Sequence, residues 1–146
     1  MALDPNVTER RQAGHRFVEH TADVELELRA ATLPELFIEA GLALAELMIE
    51  PSTHATREVS DAVVVRASDP QMLLVKWLNE LVFRAETRQA VFTRFRLREI
   101  TGQRLVADIS GPASPVVKTA VKAATYHRLR VANEDGLWTA RVVLDV

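Results

Sequence analysis

Cysteine is absent from the 146 residues. Its absence excludes disulfides, thiolate zinc centres, iron–sulfur clusters and a cysteine nucleophile. Glycine is sparse, and the five present (Gly14, Gly41, Gly102, Gly111, Gly136) are scattered, so neither a phosphate-cradling P-loop nor a dinucleotide fingerprint occurs. There is no G-x-S-x-G elbow, HExxH helix or EF-hand loop, and the four histidines (His15, His20, His54, His127) lie far apart in sequence. No stretch approaches the roughly 18 consecutive apolar residues of a membrane span. Neither sign of charge dominates: 18 Lys and Arg against 20 Asp and Glu leave a formal charge of −2, which supplies no overall basic field for nucleic acid. Any RNA contact has to be local or indirect. The opening MALDPNVTERRQAG lacks an apolar signal-peptide core and reads as a polar, flexible extension, so the expected location is the cytoplasm.

What is present points to one domain. At this length one core is well supported, whereas two would each be marginal. The expected division is an extension over 1–16 and a domain over 17–146. Val24, Leu26 and Leu28 alternate with Glu25, Glu27 and Arg29, the period of a half-buried strand. Leu33, Leu36, Phe37, Ala40, Leu44, Leu47 and Met48 then recur at helical steps, with Thr32 and Glu35 spaced as a capping box; the helix is expected over Leu33 to Glu50, stopped by Pro51. A Val-rich strand follows over Val59 to Ala67. Asp69 as N-cap and Pro70 at the first helical position announce a second helix to about Glu86, its buried stripe made by Leu74, Trp77, Leu78 and Leu81. Val91 to Glu99, Leu105 to Ile109, Ala124 to Val131 and Leu137 to Val146 read as further strands, joined pairwise by short polar turns. The expected fold class is α+β: a two-layer single domain, with a mixed, mainly antiparallel sheet and two amphipathic helices on one face.

The candidate chemistry sits at strand ends. Asp23 shares parity with Glu25 and Glu27, and Asp145 with Arg141 and Thr139, so both carboxylates fall on the wet faces of their strands. If those strands are neighbours, the carboxylates converge. The oxygens of Val146 would then add to a hard-ligand set suited to calcium or magnesium rather than zinc. The alternative is a turn residue and a solvated strand end, which aspartates also favour.

Four blocks occur in order: His20-Thr21-Ala22-Asp23-Val24, Leu73 through Leu81 (LLVKWLNEL), Val121 through His127 (VKAATYH), and Val143-Leu144-Asp145-Val146. Together, from about Phe17 to the last residue, they resemble the archease family. The resemblance implies a small non-enzymatic partner protein that activates a GTP-dependent RtcB-type RNA ligase in tRNA splicing and RNA repair. Such a protein promotes guanylylation of the ligase and its multiple turnover. It also implies a divalent metal, calcium first and magnesium or manganese next, held by Asp23, Asp145 and Val146. RNA contact would be indirect, through the ligase.

Other residues carry two readings each. His20 either reaches a partner or hydrogen-bonds its own loop. Lys122 either meets a phosphate or carboxylate of the partner or is solvated. In an alternating strand, one of Tyr126 and His127 points inward; Tyr126 is expected to be structural and His127 a candidate contact. Asn79 and Glu80 are the polar positions of the second helix that could face the site. Arg94, Arg96 and Arg98 line one strand face and are expected to be solvated rather than RNA-binding. The competing function is a chaperone-like module for an RNA-modifying enzyme such as a tRNA methyltransferase, acting through an apolar or edge-strand surface. A metal-dependent phosphohydrolase is disfavoured, since no second acidic cluster supplies a base and a nucleophile.

Overall fold

The structure, a computed structural model, describes residues 13–19 and 22–146. Most of the expected extension, residues 1–12, and the candidate His20 therefore lie outside the described residues. In chain order the elements are β1 (Gly14–Glu19), β2 (Asp23–Ala30), α1 (Leu33–Met48), β3 (Glu58–Arg66), α2 (Pro70–Arg88), β4 (Arg94–Ile100), β5 (Arg104–Pro112), β6 (Ala123–Glu134) and β7 (Leu137–Asp145). All strand pairs among the described residues are antiparallel, where a mixed, mainly antiparallel arrangement was expected.

The α+β class holds, with its two helices, but the strands divide into two sheets where one was expected. One has four strands in the order β1-β2-β7-β6, the other three in the order β3-β5-β4. Helix α1 packs on β2 and also on β4, and α2 on β6 and also on β3, so each helix touches both sheets. This explains why α1 buries more than one stripe: Phe37, Ala40 and Leu44 are inside, and so are Gly41, Ala43 and Ala45. Gly41 is required by contact with the second sheet, since a Cβ there would lie 2.8 Å from the Phe95 ring of β4. Phe95 in turn meets Trp77 edge to face at 5.8 Å, and the Trp77 indole N–H donates to the Phe37 carbonyl at 2.9 Å. Both helices and the three-stranded sheet thus meet at one fully buried indole.

The helix starts follow from their caps. The Glu35 N–H donates to Thr32 Oγ1 at 3.2 Å and the Met72 N–H to Asp69 Oδ1 at 2.8 Å. Helix α1 ends two residues before the expected Glu50 because Ile49 bridges Val117 and the Glu50 N–H donates to the Val116 carbonyl at 2.9 Å. Strand β4 starts at Arg94, three residues later than expected, because Val91 and Phe92 run so close to β5 that a Cβ on Gly111 would sit 1.9 Å from the Val91 carbonyl oxygen. Strand β1 begins at Gly14 and takes His15 and Arg16, which the expected boundary at 17 assigned to the extension, into the four-stranded sheet.

Candidate functional site

Strands β2 and β7 are neighbours, and their register sets Asp23 opposite Asp145, with Val24 opposite Leu144 and Leu26 opposite Val142. Because Leu26, Val142 and Leu144 are fully buried, alternation turns both aspartates to the outer face of the four-stranded sheet. Two carboxylates directly opposite one another repel across an antiparallel pair. One of them is also partly desolvated: Asp23 Oδ1 is buried and has no hydrogen-bond partner among the described residues. Lys122 and Val146 belong to the same end of the sheet. The Lys122 N–H donates to the Asp145 carbonyl at 2.8 Å, Ala123 pairs with Asp145, and the half-buried Val146 packs on the core next in chain. The Lys122 side chain is exposed.

This donor chemistry fits a hard divalent cation: two carboxylates set opposite one another, with one oxygen buried and without a partner among the described residues. Among the described residues, no three His, Asp or Glu side chains gather into a metal cluster. A third protein ligand would therefore come from a backbone or Val146 oxygen.

Two features beside this edge escaped the sequence pattern. Glu25, expected on the wet face with Asp23, is only 5% exposed. The cause is in β6, where the register jumps between Thr125 and Arg130 while β7 advances only from Val143 to Arg141. Residues 126–129 bulge, and Arg128 adopts a left-handed φ of 54°. The bulge is fastened over the sheet: the Arg141 Nε–H donates to the Arg128 carbonyl at 3.0 Å, and Arg128 Nη2 stands 3.5 Å from Glu25 Oε1. The bulge also overturns the expectation for Tyr126. It is 57% exposed rather than structural, and His127 beside it is exposed as well, because neither lies in a regular alternating stretch.

Asn79 is a positioning residue. Its amide donates to the Ala124 carbonyl at 3.1 Å and its Oδ1 accepts the Ala124 N–H at 2.7 Å, which ties α2 to β6 next to Ala123 and Lys122. Glu80 turns away to Arg84 at 2.7 Å. Arg94 and Arg98 pair with Glu58 at 3.0 Å and Asp108 at 2.8 Å on the exposed face of the other sheet, as a solvated face would. Next to Lys122 lies an open groove of about 680 Å³ with an apolar wall including Met48, Val82, Val91, Val117 and Val121.

Residues 15–146 match the model of the Archease protein family (MTH1598/TM1083). The chain belongs to the archease family. It is 32% identical over 140 residues to the protein archease of Methanosarcina mazei, covering 90% of this chain and 95% of that one. Identity to the protein archease of Pyrobaculum calidifontis is 32% over 145 residues, covering 94% and 98%. The solution structure of Methanobacterium thermoautotrophicum protein 1598 superimposes with a TM-score of 0.69 at 30% identity, over 91% of this chain and 99% of that one. The crystal structure of a Thermotoga maritima archease, described as a possible chaperone, matches in fold with a TM-score of 0.63 at 20% identity, over 88% and 94%. No helix among the described residues is long and apolar enough to cross a membrane.

Proposed function

We propose that this archease is a non-catalytic accessory protein that activates a GTP-dependent RtcB-type RNA ligase, promoting its guanylylation and multiple turnover. Family membership supports a partner-directed role, and the observation that carries the site is the pairing of Asp23 with Asp145, with Asp23 Oδ1 buried and unpartnered. Asp23, Asp145 and an oxygen of Val146 hold a divalent cation, calcium by its preference for several oxygen ligands, with magnesium or manganese as substitutes. When bound, such a cation offsets charge repulsion around phosphates. Asn79 and the β6–β7 pairing keep the edge in register, and the exposed Lys122 ammonium presents a point charge to a phosphate or carboxylate of the partner.

The test is RNA joining by a cognate ligase held far below its substrate, with GTP and divalent metal, comparing no addition, the native chain and Asp23→Ala. The expected result is multiple turnover with the native chain and at least about a 10-fold loss with the variant, equivalent to about 1.4 kcal/mol. Full stimulation by Asp23→Ala would remove the metal-bearing role, and no stimulation by the native chain would remove the ligase. The apolar groove beside Lys122, with Val117 half exposed, favours a second reading as a chaperone-like module for an RNA-modifying enzyme. That reading gains if a metal-independent solubilising effect on such an enzyme survives Asp145→Ala.

A further inference from the structure

We infer that the outer face of the four-stranded sheet, together with the β6 bulge, binds single-stranded nucleic acid directly. The register aligns Arg16, Glu27, Arg141 and Arg130 in one row across all four strands. Neighbouring strands are about 4.8 Å apart, so the three guanidinium groups of that row span roughly 15 Å. Arg128 joins them from the bulge through the hydrogen bond between its carbonyl and Arg141. The row floors an open concavity of about 610 Å³. In a chain whose formal charge is −2, this concentration of arginine is local, which is the condition the composition sets for any RNA contact.

The acids within and beside the row do not cancel it, and Asp23 and Asp145 lie two rows away at the end of the sheet. Arg16 pairs with Glu27 at 2.7 Å and Arg130 with Glu134 at 3.0 Å, but both arginines are more than half exposed. Such pairs contribute about 0–1 kcal/mol and exchange readily for a phosphate, which a guanidinium meets with two parallel hydrogen bonds. Glu25 is different, being buried, and its role is to hold Arg128 and Arg141 in place. The Tyr126 ring decides between nucleic acid and an acidic peptide. A bulged residue 57% exposed on the segment fastened to the arginine row offers an aromatic face, and a base stacks on it where an acidic side chain cannot. A single strand is favoured over a duplex because stacking needs a base outside its pair.

Fluorescence anisotropy with a labelled, unstructured oligoribonucleotide and no ligase present tests this. Binding should weaken with salt, and Arg16→Ala combined with Arg130→Ala should lower the slope of log K against log salt by about 1.4, at roughly 0.7 per lost phosphate contact. Tyr126→Ala should weaken binding by about 5-fold or more with the slope unchanged. A thermal melt of each variant checks that the sheet is intact. The inference fails if the native chain does not bind at low salt, if both sets of variants bind as it does, if a matched duplex binds as tightly as the single strand, or if polyglutamate displaces the strand as well as unlabelled RNA does. Because no ligase is in the assay, its outcome is separate from that of the turnover experiment.

Discussion

The two sheets arrange charge on their outer faces differently. On the three-stranded sheet and its flank, arginines meet acids: Arg98 with Asp108, Arg94 with Glu58, Arg88 with Asp61 at 2.6 Å. On the four-stranded sheet, one row sets Asp23 against Asp145, the next buries Glu25 with Oε1 lacking a hydrogen bond, and the third gathers three arginines around one glutamate. A face that only has to remain wet can neutralise itself locally. The cation proposed at one end and the single strand inferred in the middle are each a partner for one of these groups of like charge.

The largest expected effect in this comparison comes from the carboxylate between the aspartate row and the arginine row of the four-stranded sheet. Glu25→Ala removes the only carboxylate placed under Arg128 and Arg141 among the described residues and leaves a bulge with nothing to fasten its side chain. Unfolding free energy from urea titration should fall by about 1 kcal/mol through lost pairing and packing, since the arginine side chains left behind are 51% and 37% exposed and can be solvated. Glu25→Gln should recover part of it by preserving volume. If both variants match the native stability, the bulge is held by backbone alone and the buried carboxylate has no positioning role.

How much of this was legible in the sequence depends on the range of the interaction that decides it. Thr32 with Glu35, and Asp69 with Pro70, announce helix starts because a cap is complete within four residues. The parity of Asp23 and Asp145 was readable because alternation is local, and their convergence followed once β2 and β7 proved to be neighbours. The division into two sheets was not readable, since it is set by helices that each pack on both, and Gly41 against Phe95 is a contact between residues 54 positions apart (95 − 41). Nor was the burial of Glu25, which needs a bulge whose only sequence trace is a stretch, Tyr126-His127-Arg128, that fails to alternate. Asn79 could be singled out only together with Glu80 as a polar helix position that could face the site, because its partner is the backbone of Ala124, which carries no side-chain signature.

A smaller effect sharpens the contrast by its sign. Asp108→Asn removes a paired carboxylate from the exposed face of the three-stranded sheet and should cost well under about 1 kcal/mol, since both partners are at least two-fifths exposed. Asp23→Asn removes one of two opposed carboxylates and, in a chelator-treated sample, should leave stability unchanged or raise it by up to about 1 kcal/mol. Calcium should then raise the melting temperature of the native chain but not of Asp23→Asn. If Asp23→Asn destabilises the chelated protein as a paired charge would, the two faces are alike and the cation site loses its physical basis.

The smallest effect concerns how the four-stranded sheet is fastened to α1 at its far edge. His15 of β1 lies between two glutamates of that helix, with Nδ1 2.7 Å from Glu39 Oε1 and Nε2 in contact with Glu46 Oε2. Burial works against the imidazolium, but the hydrogen bonds and charges of Glu39 and Glu46 outweigh it, so its pKa is raised above the usual 6.5. With the raised value in the folded state, the native chain binds more protons than the unfolded chain between the two pKa values. The contribution is therefore complete below about pH 6.5 and is lost as pH rises through the folded value. It is at most about 1 kcal/mol, as expected for a partly exposed pair. Urea titrations across that window should show a decline in the native chain that His15→Gln flattens, while Asp108→Asn keeps it. A native profile as flat as that of His15→Gln would mean that β1 is held by its ladder to β2 alone.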